Sequence, residues 1–109
     1  MPKAAPALKG SALLFAALGD ETRLRLVSRL SAAEMSITGL TAGSRLTRQA
    51  ITKHLRVLED ARLVHSARHG RERIWQLDRQ RLDEARHYLD QISKHWDDSL
   101  GRLRALVED

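Results

Sequence analysis

Between Thr47 and Ala61 the apolar and polar positions separate into two faces. Ile51, Leu55 and Leu58 fall at i, i+4 and i+7, one stripe of a helix, while Arg48, Gln49, Thr52, Lys53 and Arg56 take the other side. Thr47 is a suitable N-cap for this helix. Its acids, Glu59 and Asp60, come only at the C-terminal end, where they oppose the helix dipole, and the N-terminal turns are left positive. A helix start of that kind suits phosphates and base edges.

The same reading places the other elements. Met1 to Lys9 is expected to be a loose arm, and Ala12 to Leu18 a short apolar helix ended by Gly19. Asp20 caps a second helix, Glu21 to about Ala33, with Leu24, Leu26, Val27 and Leu30 as its buried stripe. Ser36 caps a third, Ile37 to Ala42. Gly39 and Gly43 weaken it by about 1 kcal/mol each against alanine, so packing must hold it. A turn, Gly43 to Leu46, leads into the two-sided helix. Leu63 to Ala67 and Glu72 to Leu77 read as strands around the turn Arg68-His69-Gly70-Arg71, where Gly70 is free to take positive φ, and Trp75 and Leu77 share a face. A basic hairpin directly after a basic helix is the layout of a winged helix-turn-helix.

The last segment, Asp78 to Asp109, steps by three and four through Leu82, Ala85, Leu89, Ile92, Trp96, Leu100, Leu103 and Val107. A helix of about 30 residues spans ~45 Å, more than a small winged domain covers, so part of this stripe should face a second chain. The expected fold is mainly α with a small β-hairpin. Residues 1–9 form the arm, 10–78 the winged domain and 79–109 a dimerisation helix of the same domain.

Charge sharpens the picture. The chain has 109 residues, enough for one domain with a modest core, and a net charge of +5. Between Met35 and Trp75 stand eight basic residues against three acidic ones, so this stretch carries the whole excess. That concentration points to a polyanion. A hydrophobic content of 42% excludes a disordered chain, and the absence of cysteine excludes disulfides and thiolate metal sites. No apolar run approaches a membrane span and the first ten residues lack a signal-peptide core, so a cytoplasmic protein is expected.

Three blocks resemble the ArsR/SmtB-like family of winged helix-turn-helix repressors. Leu18-Gly-Asp-Glu-Thr-Arg-Leu-Arg-Leu-Val27 is similar to the family's opening. Thr47 to Val64, with His54-Leu55-x-x-Leu58, is similar to its recognition helix, and Arg68 to Leu77 to its wing. The resemblance covers roughly Ala12 to Leu77. It implies a homodimer built on the first and last helices, with Leu14, Leu82, Ala85, Leu89, Ile92, Trp96 and Leu103 at the interface. It also implies double-stranded DNA as partner, an inverted-repeat operator and repression of a promoter.

On that resemblance, Arg48 and Gln49 reach base edges, and Thr52 and Lys53 a base edge or phosphate. Arg45 and Thr47 hold phosphate at the groove rim, Arg56 is a phosphate contact, and Arg68, Arg71 and Arg73 lay the wing on backbone or minor groove. His54 is a packed or phosphate-bonded histidine. Arg45 and Arg62 stand where the family usually has glycine. If either is left-handed it carries strain of roughly 1–2 kcal/mol, and both add positive charge expected to strengthen phosphate binding.

Many members of the family sense metal. Here Glu34 to Thr38 lacks the cysteine-based site, and Asp83, His87, His95 and Asp98 fit the C-terminal site poorly: Asp83 and His87 are four apart. No metal site, and no cofactor, is expected. Phosphate loops, zinc-protease motifs and nucleophile elbows are absent, so an enzyme is not expected. The alternative is a winged helix used for protein contact, as a complex subunit or antitoxin, which predicts a neutral or acidic polar face with exposed apolar residues. RNA binding would want aromatics among the basic residues, where Trp75 stands alone.

Overall fold

The computed structural model describes the backbone of residues 4–108 and the side chains of residues 10–108. Its elements run α1 (Ala4–Leu18), α2 (Glu21–Ala32), β1 (Met35–Ser36), α3 (Ile37–Thr41), α4 (Arg48–Asp60), β2 (Val64–His69), β3 (Glu72–Leu77) and α5 (Arg79–Glu108). Three N-caps form as their side chains dictate. Asp20 accepts from Arg23 N–H at 3.1 Å, Ser36 from Gly39 N–H at 3.1 Å and Thr47 from Ala50 N–H at 3.1 Å. Asp78 does the same ahead of α5, accepting from Arg81 N–H at 3.1 Å.

The core joins α1, α2, α3, α4 and the sheet through Leu14, Leu26, Leu30, Leu40, Leu55, Leu58, Leu63 and Trp75, all buried. The sheet is antiparallel in the order β1-β3-β2. Its first strand was not expected. Met35 and Ser36 pair with Trp75 and Ile74, which ties the entry of α3 to the wing. A two-residue strand has no periodicity to read, and only its tertiary partner makes it one.

Several expectations are corrected. The first helix starts at Ala4, so most of the segment expected as an arm is helical, and Met1 to Lys3 lie outside the described residues. Pro6 falls in the first turn, where its missing N–H breaks no helical bond. Leu24 is 51% exposed. It lies two residues, about 200° of helix, from Leu26 and so faces away from the buried side. Of the two suspected left-handed positions only Arg62 qualifies, with φ 62°; in the turn before α4 the positive φ falls on Gly43, at 75°. Arg45 carries no such strain.

Three arginines close helix ends. Arg23 donates to Ala17 C=O at 2.6 Å and Ala16 C=O at 3.5 Å, Arg29 to Leu40 C=O at 2.7 Å and Gly39 C=O at 2.9 Å, and Arg81 to Ala61 C=O at 3.0 Å. Each supplies donors and positive charge to the last carbonyls of another helix, α1, α3 and α4 respectively. Buried Arg81 also bonds Gly10 C=O and Glu84 Oε2, both at 2.7 Å, and so fixes α5 against α1 and the end of α4. Phe15 and Tyr88, with ring centroids 5.8 Å apart, are a further α1–α5 contact. Beyond Tyr88, α5 leaves the domain: every residue from Leu89 to Glu108 is exposed. Among the described residues no helix is long and apolar enough to cross a membrane.

Candidate nucleic-acid interface

Burial of Ile51, Leu55 and Leu58 fixes how α4 is turned, and it turns Arg48, Gln49, Lys53 and Arg56 outward, all exposed. The first turn has no acid, so its free N–H groups and the positive dipole end stand uncompensated. Thr52 is half-buried and its hydroxyl donates back to Arg48 C=O at 2.8 Å. His54 turns the other way. Arg23 Nη1 lies within hydrogen-bonding distance of its Nδ1, at 3.2 Å. Asp20 Oδ2 lies 3.8 Å from the same nitrogen, so His54 joins α4 to α2, the packed role among those expected. The Asp20 carboxyl is held below its ordinary value, first by the Arg23 backbone N–H. Partial burial opposes this, and the charges of Arg23 and His54 add to the lowering.

The wing supplies the second wall. Ser66, Arg68, Arg73 and Trp75 share one sheet face, with Ser66 opposite Trp75 and Arg68 opposite Arg73. Like charges facing each other across a ladder repel. Arg73 Nη1 donates to Ser66 Oγ at 2.9 Å, which aims the guanidinium along the face. Arg48, Thr52, Arg56 and Arg73 thereby line one groove of about 360 Å³ between α4 and β3, with Ile37 and Trp75 also in its lining and Glu59 as its acid. Arg45 lies apart, in a groove shared with Thr22 and Arg25, and Arg71 is at the wing tip beside Gly70, whose φ is 64°. Arg62 lies away from this face, in a groove with Gln80, Arg81 and Glu84, which removes the ground for expecting it at phosphate.

The ion pairs among the described residues are Arg25–Glu21, His54–Asp20, Arg81–Glu84 and Arg86–Asp90. None touches Arg45, Arg48, Lys53, Arg56, Arg68, Arg71 or Arg73. Seven cations on α4, the turn before it and the wing thus have no counter-charge within 4.0 Å. Sequence reasoning missed Ser66 and the apolar lining from Ile37 and Trp75; the two-residue alternation of β2 and β3 was the signal for the first.

The expected interface residues divide. Leu14 and Ala85 are buried in their own subunit's core and Leu82 is packed against it, because the first two turns of α5 lie on α1 and the domain. Leu89, Ile92, Trp96 and Leu103 are exposed, Trp96 at 64%, together with Leu100 and Val107. These six repeat at steps of three, four, four, three and four. This eleven-residue spacing keeps a stripe in line along a nearly straight helix. Among the described residues no group of three or more His, Cys, Asp or Glu side chains is arranged to hold a metal; His87, His95 and Asp98 lie exposed along α5.

A helix-turn-helix followed by a β wing, with its unpaired cations on the second helix and the wing, defines a winged helix-turn-helix protein of the DNA-binding type. The helix-turn-helix domain family matches residues 18–67. The HTH-type transcriptional regulator Rv2034 of Mycobacterium tuberculosis is 34% identical over 92 residues, covering 84% of this chain and 83% of that protein. A transcriptional repressor SmtB homologue of Synechocystis is 38% identical over 63 residues, 58% of this chain and 48% of that one. The solved structure of an ArsR-like transcriptional regulator from Rhodococcus superposes with a TM-score of 0.80 at 33% identity, covering 91% of this chain and 93% of that one. The chain belongs to the ArsR/SmtB family of helix-turn-helix transcriptional regulators.

Proposed function

We propose that the protein is a sequence-specific transcriptional repressor that binds an inverted-repeat operator as a homodimer. Each subunit lays α4 in a major groove and the β2–β3 wing over the neighbouring backbone. The observation that carries this reading is the set of seven unpaired cations on α4, its preceding turn and the wing. Unopposed positive charge on helix and wing together is matched by a duplex, which supplies one negative charge per ~1.7 Å of its axis. Gln49 and Arg48 reach base edges from the first turn. Arg56 and Arg73, on opposite walls of one groove, grip the phosphate strand that passes between helix and wing.

The second copy is supported by the exposed stripe of α5. Leu89, Ile92, Trp96, Leu100 and Leu103 together form an apolar strip larger than isolated surface residues explain. Pairing two subunits along it sets two α4 helices on one side of a duplex, with half-sites about one helical turn, ~34 Å, or a multiple of it apart. Repression follows from occluding a promoter, the protein's own being the first to test.

The test is binding to the protein's own upstream DNA between 50 and 200 mM salt, roughly the range over which phosphate contacts are read out. The expected Kd is ~10⁻⁸ M or tighter on that duplex. The Arg48→Ala/Lys53→Ala double variant should lose specificity, and its salt slope should fall by about one for each phosphate contact removed. Weak binding of equal strength to unrelated DNA would refute the reading and bring the protein-contact alternative forward.

A further inference from the structure

Two threonines of the recognition region offer opposite hydrogen-bonding polarity. Thr47 Oγ1 accepts Ala50 N–H at 3.1 Å, so its hydroxyl hydrogen is free to donate. Thr52 Oγ1 donates to Arg48 C=O at 2.8 Å, so its only hydrogen is committed within the helix. The β-branch limits Thr52 to few rotamers in a helix, and this back-bond is the one that holds it. What remains at Thr52 is an oxygen lone pair and a methyl group. Its neighbours one turn to either side, Arg48 and Arg56, are donors only, exposed and without acidic partners. Thr52 therefore sets an acceptor and a methyl between two donors, Arg48 and Arg56, on the α4 wall of the groove.

Resting on the DNA-binding reading above, we infer that Thr52 is a specificity-determining residue that selects an A·T pair in each half-site. In the major groove adenine presents an N6 amino donor and its partner thymine a C5 methyl, and these match the lone pair and the methyl of Thr52. A G·C pair presents guanine N7 and O6, acceptors that Thr52 has no hydrogen to meet, and its cytosine offers an N4 amino donor but no methyl, so only A·T offers a donor and a methyl together. Thr47, with its hydrogen free and its oxygen at the helix start, has the polarity of a phosphate contact and carries no base preference.

The experiment is selection of duplexes from a randomised pool by the full chain and its Thr52→Val and Thr52→Ser variants. Valine keeps the methyl and removes the acceptor; serine keeps the acceptor and removes the methyl. Kd values are then measured on the selected duplex and on copies with uracil for thymine, or an adenine lacking its 6-amino group, at the responding position. The wild type should select A·T there and lose about fivefold to each altered base, the scale of one net hydrogen bond or methyl contact. T52V should be indifferent to loss of the amino group, and T52S to loss of the methyl. A guanine at the responding position, or a selected sequence that neither variant alters, overturns the inference while leaving DNA binding intact. A wild type that selects no sequence overturns the DNA-binding reading and this inference together.

Discussion

Helices α4 and α5 are both amphipathic, and each leaves the opposite half of itself unsatisfied. In α4 the apolar stripe is closed inside its own domain, with Leu55 and Leu58 at 0% exposure, while the cations find no acid. In α5 beyond Tyr88 acids and bases are interspersed, Asp90, Lys94, Asp97, Asp98 and Arg102 among them, and the apolar stripe finds no cover. A fold completes what it can within one chain, so the unsatisfied half of each helix identifies the chemistry of its partner. On the proposed reading that partner is a polyanion for α4 and, for α5, the apolar stripe of a second copy.

The comparison breaks most visibly on the α5 side. Ile92→Asp/Trp96→Asp should weaken self-association by at least about 100-fold, the scale of losing one central aromatic anchor, with the helical circular dichroism of the subunit unchanged. Sedimentation velocity over a concentration series reads this out, and an unchanged dimer would place the seam elsewhere. The next effect separates two kinds of arginine. Arg81→Met removes buried charge-assisted bonds to Ala61 and Gly10 carbonyls and should cost about 2 kcal/mol in chemical denaturation. Arg48→Ala, at an exposed and unpaired position, should change stability by less than about 0.5 kcal/mol while lowering DNA affinity.

Smaller still is Arg62→Gly. Relief of its left-handed backbone should add about 1 kcal/mol, or roughly 4 °C in Tm, and leave the salt slope of DNA binding unchanged because Arg62 lies beside α5. The least effect concerns Asp20. A carboxyl whose folded pKa is below its ordinary 3.8 adds stability that is full above that value and is lost as pH falls through the folded one. Asp20→Asn keeps an N-cap but cannot titrate, so its stability curve should be flatter below about pH 4 than that of the wild type.

Much of this was legible from local pattern. The caps at Asp20, Ser36 and Thr47 and the two faces of α4 depend on neighbours within four residues, and the chain alone shows those. The stripe of α5 was legible as apolar and as only partly covered by its own domain, but not where it divides. Ala85 lies on its own α1 and Trp96 lies in the open, and only the reach of the domain decides which. Arginines were the least readable. Arg23, Arg29 and Arg81 look like Arg48 and Arg56 in sequence, yet their partners are carbonyls of other helices, up to 71 residues away for Arg81. Net charge counted all of them alike, and geometry separates the cations that hold the fold from those with no partner within the chain.

The measurement that tests the account most directly is sedimentation of the chain with a selected duplex at stoichiometric concentration, wild type beside Ile92→Asp/Trp96→Asp. Two chains per duplex for the wild type, and a single weakly held chain for the variant, are the result predicted if α4 faces DNA and α5 faces a second copy. One chain per duplex for the wild type, or a variant that still binds as a pair, would contradict it.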